Sequence, residues 1–156
     1  MTSHWTYKGK QINSIEDLPK GMFGFVYMIT NIETDMKYIG KKQLGSRRRK
    51  ALTKAQKKAG RKRRTVVYSE SNWKTYTSSS KEVNADIKKS GKDKFKFEIL
   101  IFGKTKGQCN YIEEYFQMTE NVILNTQYYN DAVGSGKFRN VKTSEAFLKS
   151  LKEVII

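Results

Sequence analysis

The chain has 156 residues, and its 31 basic and 15 acidic side chains give a formal charge of +16 at pH 7. One cysteine and one histidine exclude an intramolecular disulfide, a multi-cysteine zinc site and a histidine-rich metal site, and they argue against a Ser-His or Cys-His nucleophile pair. The length favours one domain. With a mean hydropathy of -0.71, no bilayer-length apolar run and no apolar N-terminal signal core, we expect a cytoplasmic protein.

The first half of the chain predicts an antiparallel hairpin. Residues 5–12 read as a short extended segment with a glycine turn, and residues 14–18 as one capped helical turn that ends at Pro19. Residues 25–30 and 37–41 are rich in β-branched and aromatic side chains, and the stretch between them is typical of a turn. We therefore predict two paired strands here.

A dense basic segment follows the hairpin. No acidic residue occurs between Asp35 and Glu70, whereas fourteen lysines and arginines do. Such a segment repels itself unless a polyanion neutralises it. Between residues 50 and 60 the apolar side chains are alanines and Leu52, which is too little for a membrane-binding helix. Nucleic acid is the favoured partner, and a fraying helix or a segment that orders on binding is compatible with the composition.

The second half predicts two helices around a third strand. Ser79 or Ser80 can cap a helix that ends at Gly91, and residues 95–102 alternate as a buried strand. Apolar residues at helical spacing between residues 107 and 121 mark a core helix, and a similar stripe predicts a last helix over residues 141–156.

Five separated features resemble the GIY-YIG endonuclease family. Its two half-motifs stand here as Phe25-Val26-Tyr27 and Tyr38-Ile39-Gly40, with phenylalanine in place of the first glycine. Arg48, a glutamate on the core helix and Asn130 follow in order, and residues 73–80 and 97–100 are similar to phage-encoded, often homing-type, members. The resemblance covers residues 24–130.

The resemblance implies an α/β fold with a small mixed or antiparallel three-stranded sheet flanked by helices. It divides the chain into a lead-in (1–23), a nuclease domain (24–140) with a basic insertion at 47–64, and a C-terminal helix (141–156) packed on the same domain. It also implies a DNA endonuclease, acting in the host-cell cytoplasm if a phage encodes it.

The same resemblance assigns catalytic roles by position. Tyr27 would position or deprotonate the attacking water, with Tyr38 as its partner, and Arg48 would hold the scissile phosphate, with the register uncertain by one residue. A phenol is a poor base at neutral pH unless cations such as Lys41 and Lys42 favour the phenolate. Asn130 would orient the site.

Two assignments are less direct. Ser78 stands where many members have a histidine, so Tyr76 is the substitute candidate, and His4 is far away in sequence. A metal ligand is expected on the core helix, where the Tyr111-Ile112 context favours Glu113 over Glu114. The implied cofactor is Mg²⁺, or Mn²⁺, because hard cations prefer carboxylate oxygen.

The expected partner is double-stranded DNA, with no membrane and no small-molecule cofactor, and a homodimer is allowed. The residues expected to contact the DNA are Lys41, Lys42, Arg47, Arg49, Lys50, Arg61, Lys62, Arg63 and Arg64. Two alternatives stay open: a nuclease-derived binding protein that has lost catalysis, and a basic RNA-binding or ribosome-associated protein.

Overall fold

The structure is a computed structural model that describes residues 3–134 and 136–137. Its elements are β1 (Trp5–Tyr7), β2 (Lys10–Gln11), β3 (Gly24–Asn31), β4 (Lys37–Gln43), β5 (Gly45–Lys50), α1 (Lys54–Lys58), β6 (Thr65–Glu70), α2 (Lys81–Ser90), β7 (Phe95–Gly103), α3 (Lys106–Thr119), β8 (Ala132–Val133) and β9 (Gly136–Lys137). Single 3₁₀ turns lie at Ile15–Asp17 and Lys92–Lys94. The predicted helix over residues 141–156 lies outside the described residues.

The central sheet has five strands, in the order β2-β1-β7-β3-β4. The strands β3, β4 and β7 confirm the three predicted from the sequence, and β3 pairs antiparallel with both β4 and β7. The expected three-stranded sheet is too small, because the N-terminal segment adds β1 parallel to β7 and β2 antiparallel to β1. The pairing of β1 with β7 joins residues about ninety positions apart, so local sequence patterns do not reveal it.

The predicted helices are present, with caps that explain their bounds. Ser80 accepts a hydrogen bond from the backbone N–H of Val83 at the start of α2, and Gly91 ends that helix. Thr105 caps α3 in the same way, through the N–H of Gln108.

The basic segment forms a two-stranded antiparallel ribbon. Strands β5 and β6 pair over six residues, from Gly45↔Glu70 to Lys50↔Thr65, and the five-residue helix α1 lies in their connection. The composition was compatible with a fraying helix across this segment. The Thr65-Val66-Val67-Tyr68 run has strong strand propensity, and it gives the arginine strand a partner.

The core occupies both faces of the central sheet. Alternate side chains of β3 point to opposite faces, so Phe25 and Tyr27 join one cluster with Trp5 and Trp73, and Val26 joins another. The second cluster receives the partly buried Phe116 of α3. Helix α3 thereby lies beside β4, close to the second half-motif.

In the part of the chain that the structure describes, we find no helix of the length and apolarity that a membrane crossing needs.

Candidate active site

The two half-motifs face each other across the β3–β4 hairpin. Tyr27 pairs with Gly40, and Ile29 pairs with Tyr38. A Cβ atom at position 40 would lie 2.6 Å from the Tyr27 hydroxyl oxygen and 2.9 Å from Cε1 of Tyr38. Only glycine leaves room for both phenol rings here. This close packing explains the glycine at position 40, two residues after Tyr38.

Tyr27 is fully buried, with ring-centroid distances of 4.9 Å to Trp5, 6.1 Å to Phe25 and 6.1 Å to Tyr76. Among the described residues its hydroxyl has no hydrogen-bond partner of standard geometry, although Tyr76 and Ser78 lie close enough to influence it. Burial raises the pKa of Tyr27 well above its ordinary value, and the neighbouring tyrosines add to the rise. A phenol in this setting stays protonated at neutral pH, which argues against a role as the base.

Tyr76 lies between Tyr27 and a cation. The Lys42 ammonium is 4.1 Å from the centroid of its ring and donates a 2.7 Å hydrogen bond to Asn72. Partial desolvation lowers the pKa of Lys42. Within the described part of the chain, Tyr76 is the one of the three tyrosines predicted to be catalytic that has a cation over its ring.

His4 reaches this cluster although it is far away in sequence. Because β1 runs parallel to β7, the His4 ring packs 4.1 Å from Phe97, and its Nε2 lies 2.8 Å from the carbonyl oxygen of Tyr76. This atom must carry the proton in order to donate to the carbonyl. Burial, followed by the charge of Lys92, lowers the pKa of His4 to about 4. Sequence reasoning missed this contact, because no local pattern indicates a pairing between segments about ninety residues apart.

The loop after Tyr76 is fixed by Asn84 of α2. The Asn84 side chain donates to the carbonyl oxygens of Ser78 and Ser80, at 3.0 and 2.9 Å, and accepts from the Thr77 hydroxyl. Ser78 is buried and has a φ of 144°, a backbone conformation that favours glycine. The next residue, Ser79, brings its hydroxyl within 3.4 Å of the Tyr38 hydroxyl.

A polar cleft of about 190 Å³ lies at the Tyr38 end of this cluster. Glu113 of α3 lines this cleft, and its buried carboxylate pairs with the Lys41 ammonium of β4. The residues that line the cleft are Tyr38, Lys41, Ser79, Glu113, Gln117, Asn130, Asp131, Ala132 and Gly134. Four of the predicted site residues therefore meet here: Tyr38, Lys41, Glu113 and Asn130.

Asn130 holds the second half-motif by its backbone. The amide oxygen of Asn130 accepts from the Ile39 N–H at 3.0 Å, and its NH₂ donates to the Ile39 carbonyl at 2.8 Å. Gln117 of α3 donates to the same carbonyl at 3.1 Å. Two buried amides thus occupy the outer edge of β4 and place Tyr38 and Lys41 on either side of Ile39 and Gly40.

The side-chain oxygen atoms in the cleft are suitable ligands for a hard cation. Gln117 has a buried side-chain oxygen with no hydrogen-bond partner within residues 3–134, and this oxygen belongs to a residue that lines the cleft beside Glu113. Carboxylate and amide oxygens are the ligands that Mg²⁺ takes. Glu114 is exposed and its carboxylate lies against Gly134. The described residues contain no group of three or more His, Cys, Asp or Glu side chains able to hold a metal, so a cation here would use few protein ligands.

Arg48 lies apart from these residues. It sits in the middle of β5, opposite Val67 and exposed, and it does not line the cleft. Arg47 and Arg49 are equally exposed on the ribbon. The predicted contact of Arg48 with the scissile phosphate stays a prediction.

Tyr38 of the hairpin, the buried Glu113 of α3 and Asn130 at the edge of β4 meet in one polar cleft, in the arrangement expected of a GIY-YIG nuclease domain. Residues 5–133 match the family model described as "Putative endonuclease segE, GIY-YIG domain". The match spans most of the chain, and the chain belongs to this GIY-YIG endonuclease domain family. Searches among curated proteins and among solved structures gave no match.

Proposed function

We propose that the chain is a Mg²⁺-dependent endonuclease that hydrolyses phosphodiester bonds of duplex DNA in the cleft around Glu113. Family membership supports nuclease activity. The observation that carries the proposal is the buried Glu113 carboxylate, which shares a polar cleft with Lys41 and with a Gln117 oxygen that has no partner among the described residues. Mn²⁺ is the natural substitute ion, because it accepts the same oxygen ligands.

Glu113 and Gln117 are the residues that would hold the cation. A bound Mg²⁺ would supply Lewis-acid stabilisation of phosphate charge and a more acidic water. The ammonium of Lys41 now neutralises Glu113, so it must turn toward solvent or toward a phosphate when a cation takes the carboxylate. Lys41 is half-buried, which leaves its long side chain free to make that movement.

The tyrosines have different parts in this proposal. Tyr38 faces the cleft and can hydrogen-bond to a phosphate oxygen or to the attacking water. Burial raises the pKa of Tyr38, so its hydroxyl acts as a neutral donor at pH 7. Tyr27, enclosed behind Gly40, keeps Tyr38 and Tyr76 in place. The proton of the attacking water would pass to solvent, either directly or through the Tyr76 hydroxyl, which would accept that proton while releasing its own to solvent.

The test is nicking of supercoiled plasmid with Mg²⁺, beside an EDTA control. Glu113→Gln keeps the shape of the side chain and removes the charge, so we expect nicking to fall at least about a hundredfold. Glu114→Gln is the matched control, because it removes the same charge from the next residue of α3, outside the cleft. Calorimetric titration with Mn²⁺ gives a second readout, in which binding should weaken in Glu113→Gln and persist in Glu114→Gln.

Equal nicking by the wild type and Glu113→Gln would refute the assignment of the ligand. The Lys41–Glu113 ion pair favours one second candidate, a DNA-binding protein of the same fold without catalysis, because the carboxylate is already neutralised. Duplex DNA binding with no metal-dependent nicking under any of these conditions would identify that candidate.

A further inference from the structure

The β5–β6 ribbon presents two different faces to solvent. Side chains alternate along each strand, so the cross-strand pairs Arg47–Tyr68 and Arg49–Val66 lie on one face. The pairs Arg48–Val67 and Lys50–Thr65 lie on the other. Alternation therefore places two of the four basic residues of β5 on each face, a division that charge density alone does not reveal.

Four arginines converge on the first face. Arg47, Arg49, Arg63 and Arg64, together with Val66, line a depression of about 490 Å³. Within residues 3–134 no ion pair joins any of these four guanidinium groups to a carboxylate. Arginine forks match the paired oxygens of a phosphate. This face, which we term the arginine face and define as Arg47, Arg49, Arg63, Arg64 and Tyr68, has the charge that a phosphate backbone requires.

Tyr68 adds a neutral contact to the arginine face. It is 74% exposed, and the Arg47 guanidinium lies 5.9 Å from its ring centroid. In the described residues the Tyr68 ring lies outside both hydrophobic core clusters. It can instead contact sugars and base edges between the two phosphate rows of a duplex.

The ribbon is joined directly to the strand that carries the cleft. Only Leu44 separates β4 from β5, and it is buried, with its N–H donating to the Phe23 carbonyl at 2.9 Å. At the other end of the ribbon, Ser71 donates to the Leu44 carbonyl at 2.9 Å. At ~3.4 Å per strand residue, Arg47 lies at most about 20 Å from Lys41, or about six base pairs along a duplex.

We propose that duplex DNA lies on the arginine face, with the ribbon running along a groove, and that this contact delivers the neighbouring backbone to the cleft. The inference rests on the proposed action on DNA. The major groove of B-form DNA admits a two-stranded β-ribbon, whereas the deep, narrow major groove of A-form RNA does not. The partner is therefore duplex DNA rather than duplex RNA.

The test measures binding of the full chain to a fluorescein-labelled DNA duplex in EDTA, by anisotropy over a series of NaCl concentrations. Arg47→Gln/Arg49→Gln should lower the slope of log K against log salt by about two, because each lost phosphate contact contributes about 0.9. Arg48→Gln/Lys50→Gln removes the same charge from the opposite face and should cost less than half as much slope. Lys88→Gln/Lys89→Gln, on exposed turns of α2, is the charge-matched control and should leave the slope unchanged.

Tyr68→Ala separates the groove contact from the phosphate contacts. It should weaken binding about fivefold while the salt slope stays constant, because a neutral side chain releases no counterions. Thermal unfolding of each variant verifies that these exposed substitutions leave the fold intact. Equal slope losses from both ribbon faces, or equally tight wild-type binding to an RNA duplex of the same sequence, would overturn the inference. A wild-type chain that binds no DNA would refute the proposed function as well, whereas face-independent losses leave the nuclease proposal standing.

Discussion

Gly40→Ala tests how the second half-motif is packed against the first. The added Cβ would lie 2.6 Å from the hydroxyl oxygen and 2.7 Å from Cζ of Tyr27, about 1 Å inside normal contact distance. Tyr27 cannot retreat, because Trp5 and Phe25 enclose it. Strand β4 must move instead, and Tyr38 moves with it. Overpacking of this kind costs about 1–3 kcal/mol.

That cost corresponds to a fall in melting temperature of about 2–12 °C for a chain of this size. A displacement near 1 Å at Tyr38 should also slow plasmid nicking by about a hundredfold. The assays are urea unfolding, thermal unfolding and nicking with Mg²⁺. Gly107→Ala is the matched control: its Cβ would meet only the Thr105 hydroxyl, at 3.8 Å, so stability should be unchanged or slightly raised. A Gly40→Ala protein within ~0.5 kcal/mol of wild type and with full activity would refute this account of the packing.

Three further substitutions probe the residues around the half-motifs. Asn130→Ala leaves the buried N–H of Ile39 without a partner and should lower the free energy of unfolding by about 1–3 kcal/mol in urea titrations. Tyr27→Phe removes a buried hydroxyl that has no hydrogen-bond partner among the described residues, so the free energy of unfolding should rise by up to ~1 kcal/mol. Its effect on the nicking rate should be the same factor at pH 6 and pH 9, because the raised pKa keeps the phenol neutral; a factor that grows tenfold per pH unit would instead identify Tyr27 as the base. The folded pKa of His4, about 4, lies below its unfolded value of 6.5, so the stabilisation that His4 provides is complete above pH 6.5 and is lost as the pH falls toward 4. This loss, about 1–2 kcal/mol after allowance for partial exposure, should be absent in His4→Gln, whose amide can still donate to the Tyr76 carbonyl.

The sequence was sufficient for the elements whose signals are local. Strands β3, β4 and β7 and helices α2 and α3 were predicted from side-chain alternation, helical spacing and cap residues, and all are present. The family resemblance, which rested on ordered motifs, is confirmed by the match over residues 5–133. The predicted roles of individual residues stay predictions.

The sequence was insufficient wherever distant segments meet. Pairing of β1 with β7 enlarges the sheet and brings His4 to Tyr76. No local pattern encodes such a pairing, because it depends on which buried surfaces remain after the hairpin and helices pack. The ribbon was missed for a related reason: the four basic residues of β5 have little strand propensity of their own, and they form a strand by pairing with residues 65–68.

By itself the sequence determined which chemistry is available. One histidine and one cysteine leave tyrosine, arginine, lysine and carboxylates as reactive groups, and the ordered half-motifs assign them to a family of nucleases. Only the tertiary structure decided which of these groups share a site. Helix spacing alone does not say which of two adjacent glutamates turns inward, whereas packing of α3 on β4 buries Glu113 beside Lys41 and leaves Glu114 exposed. Charge density alone does not distinguish the two faces of a ribbon, whereas the pleat of β5 and β6 separates Arg47 and Arg49 from Arg48.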